Sequence, residues 1–295
     1  MKPFQLSWKI KAADEEKVLR EFLREQQISK AALTDIKFNG GSIEVNGKEE
    51  NVRYVLTRGD EVMVTFPEEA QSESMMKEDI PLDIVYEDEH CLVIQKPPYQ
   101  STIPSREHPT GSIANGLLHY YEQKGYKLTV HIVTRLDRDT SGLLLVAKHR
   151  FSHSLFSKEQ QKKAVKRKYM AVVHGVMKED QGTINAPISR KEDSIIERVV
   201  HPEGQTAVTH FNVLKRFSDR TLVELTLETG RTHQIRVHMA HLGHPLCGDT
   251  LYGGQRDQID RQALHSYSLT FYHPMLHETL SFTSELPGDM KKLCE

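Results

Sequence analysis

The stretch TRLDRDTSG, residues 134–142, is almost entirely polar and runs directly into the apolar segment LLLVAK, residues 143–148. The apolar segment is typical of a buried strand. Two arginines flank Asp137, and a second carboxylate follows at Asp139. A carboxylate at the mouth of a core strand can act as a nucleophile, as a general base or as a structural turn acid. The residues alone leave these three roles open.

The chain has 295 residues, enough for a substantial core and for two domains. It has no apolar run of about 18 residues, and its first residues lack the apolar segment of a secretory signal. Neither a membrane span nor export is therefore expected. The cysteines, Cys91, Cys247 and Cys294, are far apart and odd in number. They argue against a disulfide framework and favour a reducing cytoplasm.

The net charge of −2 does not by itself indicate a nucleic-acid binder, but the charges are unevenly distributed. Residues 1–66 hold eleven basic and eleven acidic side chains, and residues 67–79 hold five acidic and one basic. Residues 148–168 hold eight basic side chains and one acidic. Such a basic strip can bind phosphates, although a solvated helix face explains it equally well.

Residues 1–66 are predicted to form a small separate domain. A first helix is indicated by apolar residues that share one face, namely Val18, Leu19, Phe22 and Leu23. A second helix follows with Ser29 as its N-cap, then a hairpin turning at Asn46 and a final strand over residues 59–66. The acidic segment 67–79 is predicted to be a linker.

Residues 80–290 are predicted to form a second, larger domain. Strands are predicted at residues 83–86, 91–95, 143–148, 168–175, 205–214 and 221–230. Helices are predicted at residues 112–125, 151–164 and 231–243. Many strands interspersed with few helices indicate an α+β fold with a mixed, largely antiparallel sheet.

The segment RTHQIRVHMAHLG, residues 231–243, is predicted to be a helix with Thr232 as its N-cap. Its buried stripe is predicted to consist of Ile235, Met239 and Leu242. Arg231 and Arg236 lie near the start of this helix, where backbone amides also favour anions. Arg236 could therefore face a carboxylate or a phosphate.

The histidines in and after the same segment, namely His233, His238, His241 and His244, raise a second possibility. His238 and His241 are three residues apart and could share a metal ion, as in a metallohydrolase. No nearby cysteine completes a structural set, and the HExxH motif is absent. The sequence therefore favours a site without metal.

The run KRKY, residues 166–169, places Tyr169 directly after three basic residues. Bases stack on aromatic rings while lysine and arginine hold the phosphates, so this pairing is typical of RNA binding. A tyrosine buried in the core on a strand is the alternative.

Taken together, these segments resemble the RluA-type pseudouridine synthase family. TRLDRDTSGLLLVAK is similar to the family's HRLD-x-x-TSG hallmark, with Thr134 where the family usually has histidine. Further segments match in the family's order: YEDEHCLVIQKPP, KRKYMAVVHG, QTAVTHFNVL, LETGRTHQIRVHMAHLGHPLCGDTLYGG and QALHSYSLTFYHP. The resemblance spans about residues 80–285. Residues 28–48 and 59–66 are similar to the S4 RNA-binding domain.

The resemblance implies an isomerase that detaches uracil from C1′ of its ribose, rotates it and rejoins it through C5, with no cofactor and no metal. It assigns the role of nucleophile to Asp137, which attacks either C1′ or C6. It makes Arg236 the cation beside this carboxylate. Tyr169 matches the tyrosine that stacks on the uracil and can take the C5 proton.

The expected partner is structured RNA, ribosomal RNA first and transfer RNA second, bound by a cytoplasmic monomer without an obligate protein partner. Arg135 matches a residue that fills the gap left by a flipped nucleotide. The basic residues expected to contact RNA are Lys96, Arg135, Arg167, Lys168 and Arg231. A non-catalytic RNA-binding factor is the remaining alternative, although Asp137 and Tyr169 are both present.

Overall fold

The structure, a computed structural model, describes residues 3–69 and 75–295. Residues 70–74, inside the predicted linker 67–79, lie outside the described residues. In the described parts of the chain, no helix is both long and apolar enough to cross a membrane.

The first part of the chain forms its own antiparallel sheet, with strand order β1-β4-β2-β3. Its elements are β1 (Gln5–Lys9), α1 (Leu19–Glu25), α2 (Lys30–Phe38), β2 (Ser42–Val45), β3 (Lys48–Glu49) and β4 (Glu61–Thr65). The Ser29 hydroxyl accepts a hydrogen bond from the Ala32 amide, which confirms the predicted N-cap. Asn46 and Gly47 both have positive φ, as a two-residue hairpin turn requires. Strand β1 was not predicted.

The second part of the chain contains the larger sheet and the remaining helices. Its elements are β5 (Asp83–Glu87), β6 (Cys91–Lys96), α3 (Ile113–Gln123), β7 (His131–Ile132), β8 (Ser141–Ala147), α4 (Arg150–Gln161), β9 (Lys166–His174), β10 (Gln181–Asn185), β11 (Ile188–Arg190), β12 (Arg198–Val200), β13 (Val208–Arg216), β14 (Arg220–Leu227), α5 (Gln234–His241), β15 (Leu264–His273), β16 (Glu278–Thr283) and α6 (Gly288–Lys292).

The larger sheet has the strand order β10-β13-β14-β9-β15-β8-β6-β5, with β16 beside β15 and β7 beside β8. Within the described residues, β15 and β8 form its one parallel pair, and every other pair is antiparallel. This confirms the predicted α+β fold with a mixed, largely antiparallel sheet. The order also places β8 and β9 one strand apart, on either side of β15.

Strand β8 explains why residues 143–147, LLLVA, are apolar at every position. Leu144 and Val146 face the cluster that contains α3, whereas Leu143 and Leu145 face the cluster that contains Phe156 of α4. Because helices cover both faces of the sheet here, the strand shows no alternation of polar and apolar residues. Strand β9 places Tyr169 in the α3 cluster, together with Ala171 and Val173.

The two parts of the chain pack against each other along α4. Phe151 and Leu155 of α4 belong to the apolar cluster of the first part. The Phe4 ring stacks on the His149 ring, with 3.7 Å between ring centroids. In the segment predicted as a linker, Glu69 accepts a hydrogen bond from the Arg150 amide at 2.7 Å. This end of the segment is therefore fixed to the larger part rather than extended into solvent.

Candidate active site

Asp137 lies in the loop between β7 and β8, and hydrogen bonds fix the backbone of this loop. The Thr140 amide donates to the Asp137 carbonyl at 3.1 Å. The buried Thr102 hydroxyl donates to the Leu136 carbonyl at 2.8 Å and accepts from the Leu136 amide at 3.2 Å. The Leu136 side chain is buried in the core. These bonds turn Asp137 away from the core, and its side chain is 30% exposed.

A buried lysine supports the loop from below. Lys96 is fully buried, and its ammonium donates to the carbonyls of Pro97, Gln100 and Arg138 at 2.8, 2.7 and 2.9 Å. Burial lowers the pKa of Lys96 to about 7, against the opposing charges of Asp139 and Asp137. The expectation that Lys96 contacts RNA is therefore wrong, because its three donors are already used inside the protein.

A buried arginine holds the other side of the loop. Arg261 is fully buried and forms a two-pronged ion pair with Asp289, at 2.7 and 3.0 Å. Its Nη1 donates to the Asp139 carbonyl at 3.1 Å. The loop that carries Asp137 therefore rests on two buried basic side chains, Lys96 and Arg261, that donate to its backbone.

Gly142 shows why the polar stretch ends in glycine. Its φ is +116°, and an added Cβ would collide with the Ser266 carbonyl of the parallel neighbour β15. A residue with a side chain could adopt neither this dihedral nor this close approach. Thr134, at the other end of the stretch, donates its amide to the Leu145 carbonyl and accepts from the Leu145 amide through its hydroxyl. Thr134 is therefore a buried structural contact of β8.

Arg236 contacts two carboxylates, the buried Asp249 and the partly exposed Asp137. Its Nε and Nη2 donate to Asp249 at 2.7 and 2.8 Å, and its Nη1 lies 3.4 Å from Asp137 Oδ2. Asp249 is almost completely buried, whereas Asp137 is partly exposed. Burial alone would lower the pKa of Arg236, but the hydrogen bonds and charge of Asp249 hold it above its ordinary value. The guanidinium thus stays charged beside Asp137, the partner that was predicted for it.

Helix α5 differs in detail from its prediction. Its N-cap is His233 with φ of 57°, and no side chain caps the helix, so Thr232 does not have the predicted role. Ile235 and Met239 are buried as predicted, but Leu242 is 40% exposed. The helix ends one residue before Leu242, so this residue leaves the buried face.

His233 also approaches the carboxylate of Asp137. Its Nε2 lies 3.9 Å from Asp137 Oδ2, and its Nδ1 lies 2.8 Å from the Tyr252 hydroxyl. Burial lowers the pKa of His233, while the charge of Asp137 opposes this shift. The imidazole is therefore neutral at pH 7.

A small cleft brings together most of the predicted site residues. Asp137, Tyr169 and Arg236 all line it, and so do Arg135, Arg167 and Arg231. Arg135 and Arg231 are exposed at its edge. The Arg167 Nε is buried with no hydrogen-bond partner among the described residues. The cleft thus combines one carboxylate, one aromatic ring and several guanidinium groups.

Lys168, like Lys96, is a predicted RNA contact that does not line the cleft. Neighbouring residues of a strand face opposite sides of the sheet, so Lys168 points away from Tyr169. Its ammonium forms an ion pair with Glu224 at 3.3 Å. A contact of Lys168 with RNA outside the cleft remains a prediction.

The histidine pair considered as a metal site has another role. His238 is fully buried, with Nδ1 on the Thr209 hydroxyl at 2.8 Å and Nε2 on the Ala186 carbonyl at 2.9 Å. Both of its nitrogens are therefore occupied, while His241 is exposed. His238 therefore has no free nitrogen for a metal ion, and the His238–His241 pair does not support the metallohydrolase hypothesis.

Among the described residues, one other group has the spacing to hold a metal ion: Asp88, Cys91 and His273 have ligand atoms within 4.8 Å of one another. His273 Nδ1 accepts hydrogen bonds from the amides of residues 275 and 276. Its Nε2 must then carry the proton, and it faces the Asp88 carboxylate at 3.0 Å. This arrangement fits a structural turn better than a metal site.

Several contributors to the site were not predicted from the sequence, namely Asp249, Tyr252, Arg261 and His233 in its contact with Asp137. The segment GDTLYGG, residues 248–254, carries two of them and was noted only as a family motif. No local sequence pattern predicts that Asp249 pairs with Arg236, because the two residues do not lie on one helix and come together only in the tertiary structure.

The comparisons with known proteins agree with this fold. The family model described as RNA pseudouridylate synthase matches residues 90–241, which include Asp137, Tyr169 and Arg236. Human RNA pseudouridylate synthase domain containing 1 has the same fold, with a TM-score of 0.59 and 24% identity over 70% of this chain and 84% of that chain. Human RNA pseudouridylate synthase domain containing 4 also has this fold, with a TM-score of 0.58 and 24% identity over 70% of this chain and 90% of that chain.

Curated relatives define the family more closely. The uncharacterised RNA pseudouridine synthase YjbO of Bacillus subtilis is 60% identical over 93% of this chain and 97% of its own length. Ribosomal large subunit pseudouridine synthase D of Escherichia coli K12 is 40% identical over 85% of this chain and 81% of its own length. The chain therefore belongs to the RluA-type family of RNA pseudouridine synthases, and it is an isomerase that acts on RNA.

Proposed function

We propose that this chain converts uridine to pseudouridine in large-subunit ribosomal RNA, with Asp137 as the nucleophile. The observation that carries the proposal is the partly exposed Asp137 carboxylate, 3.4 Å from a guanidinium that is itself fixed by Asp249. An adjacent cation keeps a carboxylate ionised in a cleft from which substrate has excluded water. The relatives named for the large ribosomal subunit support the choice of RNA.

The chemistry follows from what an ionised carboxylate can do to a uridine. The N1–C1′ bond breaks, the C5–C1′ bond forms, C5 loses a proton and N1 gains one, so atoms and electrons balance without a co-substrate. C1′ of the ribose and C6 of the base are the two carbons that Asp137 can attack. Either adduct breaks down again to restore the carboxylate.

The other residues of the cleft have separate roles in this proposal. The Tyr169 ring stacks on the uracil, and its oxygen takes the C5 proton while the hydroxyl releases its own proton to solvent. A paired uridine must leave its helix to reach Asp137, and Arg135 at the edge of the cleft fills the gap. Arg167 and Arg231 bind phosphates beside the flipped nucleotide.

The domain organisation is part of the same proposal. Residues 1–66 form an S4-like RNA-binding domain, residues 67–79 an acidic linker and residues 80–290 the catalytic domain. The separate sheet of the first part supports this division. The enzyme acts in the cytoplasm as a monomer, without an obligate protein partner.

Mapping of pseudouridines tests the substrate. RNA from cells with and without the gene is treated with carbodiimide, and reverse-transcription stops are compared. The proposal expects a stop in large-subunit ribosomal RNA that disappears with the gene and returns with the wild-type gene but not with Asp137→Asn. A stop lost from transfer RNA instead would overturn the ribosomal assignment.

A further inference from the structure

A chain of polar groups leads from a surface hairpin to the carboxylate of Asp137. The Arg198 amide of β12 donates to the Tyr252 hydroxyl oxygen at 3.0 Å. The same hydroxyl lies 2.8 Å from His233 Nδ1, and His233 Nε2 lies 3.9 Å from Asp137 Oδ2. None of these three residues was among the predicted site residues.

The proton positions in this chain follow from chemistry. Burial raises the pKa of Tyr252 and lowers the pKa of His233, so the phenol is protonated and the imidazole carries one proton at pH 7. An imidazole lone pair that faced Asp137 would be repelled by the carboxylate. Hence Nε2 carries the proton and faces Asp137, and Nδ1 accepts from the Tyr252 hydroxyl.

Both donors approach the same carboxylate oxygen. Arg236 Nη1 and His233 Nε2 both face Oδ2 of Asp137, at 3.4 and 3.9 Å. Among the described residues, none donates a hydrogen bond to Oδ1. Arg236 holds Oδ2 by a hydrogen bond, and the His233 Nε2–H points at the same atom from just beyond hydrogen-bond distance. Oδ1 is left for a reacting atom in the cleft.

We propose that His233 is a positioning residue, which with Arg236 selects Oδ1 of Asp137 as the attacking oxygen. Tyr252 fixes the imidazole tautomer that this role requires. The proposal rests on the proposed role of Asp137 as the nucleophile. A misplacement of about 1 Å at a reacting group can cost about 100-fold in rate, so losing this donor should slow the chemical step and leave RNA binding unchanged.

A purely structural role for His233 makes a different prediction. Its φ of 57° is left-handed, a conformation that asparagine tolerates better than glutamine. If only the backbone matters, His233→Asn should be the milder variant. If the Nε2–H donor matters, His233→Gln should be milder, because the glutamine amide nitrogen reaches the position of Nε2 and the asparagine amide reaches only that of Nδ1.

The experiment measures tritium release in single turnovers, with full-length enzyme in excess over C5-tritiated RNA from cells that lack the gene. We expect His233→Asn to lower the limiting rate by about 100-fold, and His233→Gln by about 10-fold or less, at an unchanged half-saturating enzyme concentration. His241→Gln, an exposed histidine on the same helix, is the matched control and should behave as wild type.

Tyr252→Phe keeps the ring beside Arg236 and removes only the hydroxyl. Tyr252→Phe should lower the limiting rate when introduced into the wild-type enzyme. It should lower the rate of His233→Asn little further, since both changes break the same series of polar contacts. The positioning role is overturned if His233→Asn is as fast as His233→Gln, or if the two losses multiply. Asp137→Asn in the same assay keeps the two proposals apart: turnover by this variant would overturn the proposed nucleophile itself.

Discussion

Arg236 and Asp249 form a two-pronged ion pair at 2.7 and 2.8 Å, and both side chains are more than nine-tenths buried. This geometry fixes the guanidinium plane before any RNA is bound. The third nitrogen is then available to Asp137 without further loss of side-chain entropy. The pair is thus the rigid support on which the candidate nucleophile depends.

Asp249→Asn tests this support. The variant leaves a buried Arg236 without its charge partner, which typically costs about 3–5 kcal/mol, so the unfolding temperature should fall. The limiting rate of tritium release should fall by about 100-fold, because the guanidinium is free to shift. Asp180→Asn is the control, since its ion pair with Arg216 is exposed and worth about 0–1 kcal/mol. A folded Asp249→Asn enzyme with the wild-type rate would show that this pair does not support the chemistry.

Tyr169→Phe separates stacking from proton removal. The ring is kept, so RNA affinity should change little. Loss of a general base typically lowers the rate by about 10²–10⁴-fold, and release of tritium from C5 reports that step directly. Tyr169→Leu removes the ring as well and should also weaken binding. If the phenylalanine variant releases tritium at the wild-type rate, Tyr169 only stacks.

Deletion of residues 1–69 tests the two-domain organisation. We expect weaker RNA binding and a largely intact chemical step at saturating RNA, because the cleft residues all lie beyond the deletion. The deletion also exposes Phe151 and Leu155 of α4, which pack into the removed cluster. A second truncated variant with Phe151→Gln should therefore be more soluble. Loss of activity at saturating RNA in both truncated forms would argue against an independent catalytic domain.

The contact between the two parts of the chain should be sensitive to acid. His149 stacks on Phe4, and burial lowers the pKa of His149 to about 3. The unfolded chain binds a proton at this residue near pH 6.5, whereas the folded chain does so only near pH 3. The stabilisation is thus present above pH 6.5 and is lost progressively as the pH falls towards 3.

Thermal unfolding measured between pH 7.5 and pH 4.5 checks this effect. His149→Asn removes the titrating ring but keeps a residue able to cap α4, where His149 Nδ1 accepts from the Ser152 amide. We expect a smaller loss of unfolding temperature on acidification in this variant than in wild type. An equal loss in both proteins would assign the acid sensitivity to other groups, of which His90 is the nearest.

The sequence determined the fold class and the main catalytic candidates. Strand β8 and the polar segment before it, residues 134–142, were predicted because hydrophobic pattern and composition are local properties of the chain. Asp137, Tyr169 and Arg236 were identified because their segments resemble a known family, and the cleft contains all three. The hairpin turn at Asn46 and the cap at Ser29 also follow from local chemistry.

Only the tertiary structure decided which side chains share a site. Lys96 looks like a surface cation in the sequence, yet three backbone carbonyls hold it inside the protein. Asp249 meets Arg236, and Tyr252 fixes His233, through loops that follow α5 in the chain. Such pairings depend on where the segment after α5 lies in the folded protein. Neither hydrophobic periodicity nor helical spacing predicts these pairings, because hydrogen bonds between segments far apart in the sequence form only once the core has placed their backbones.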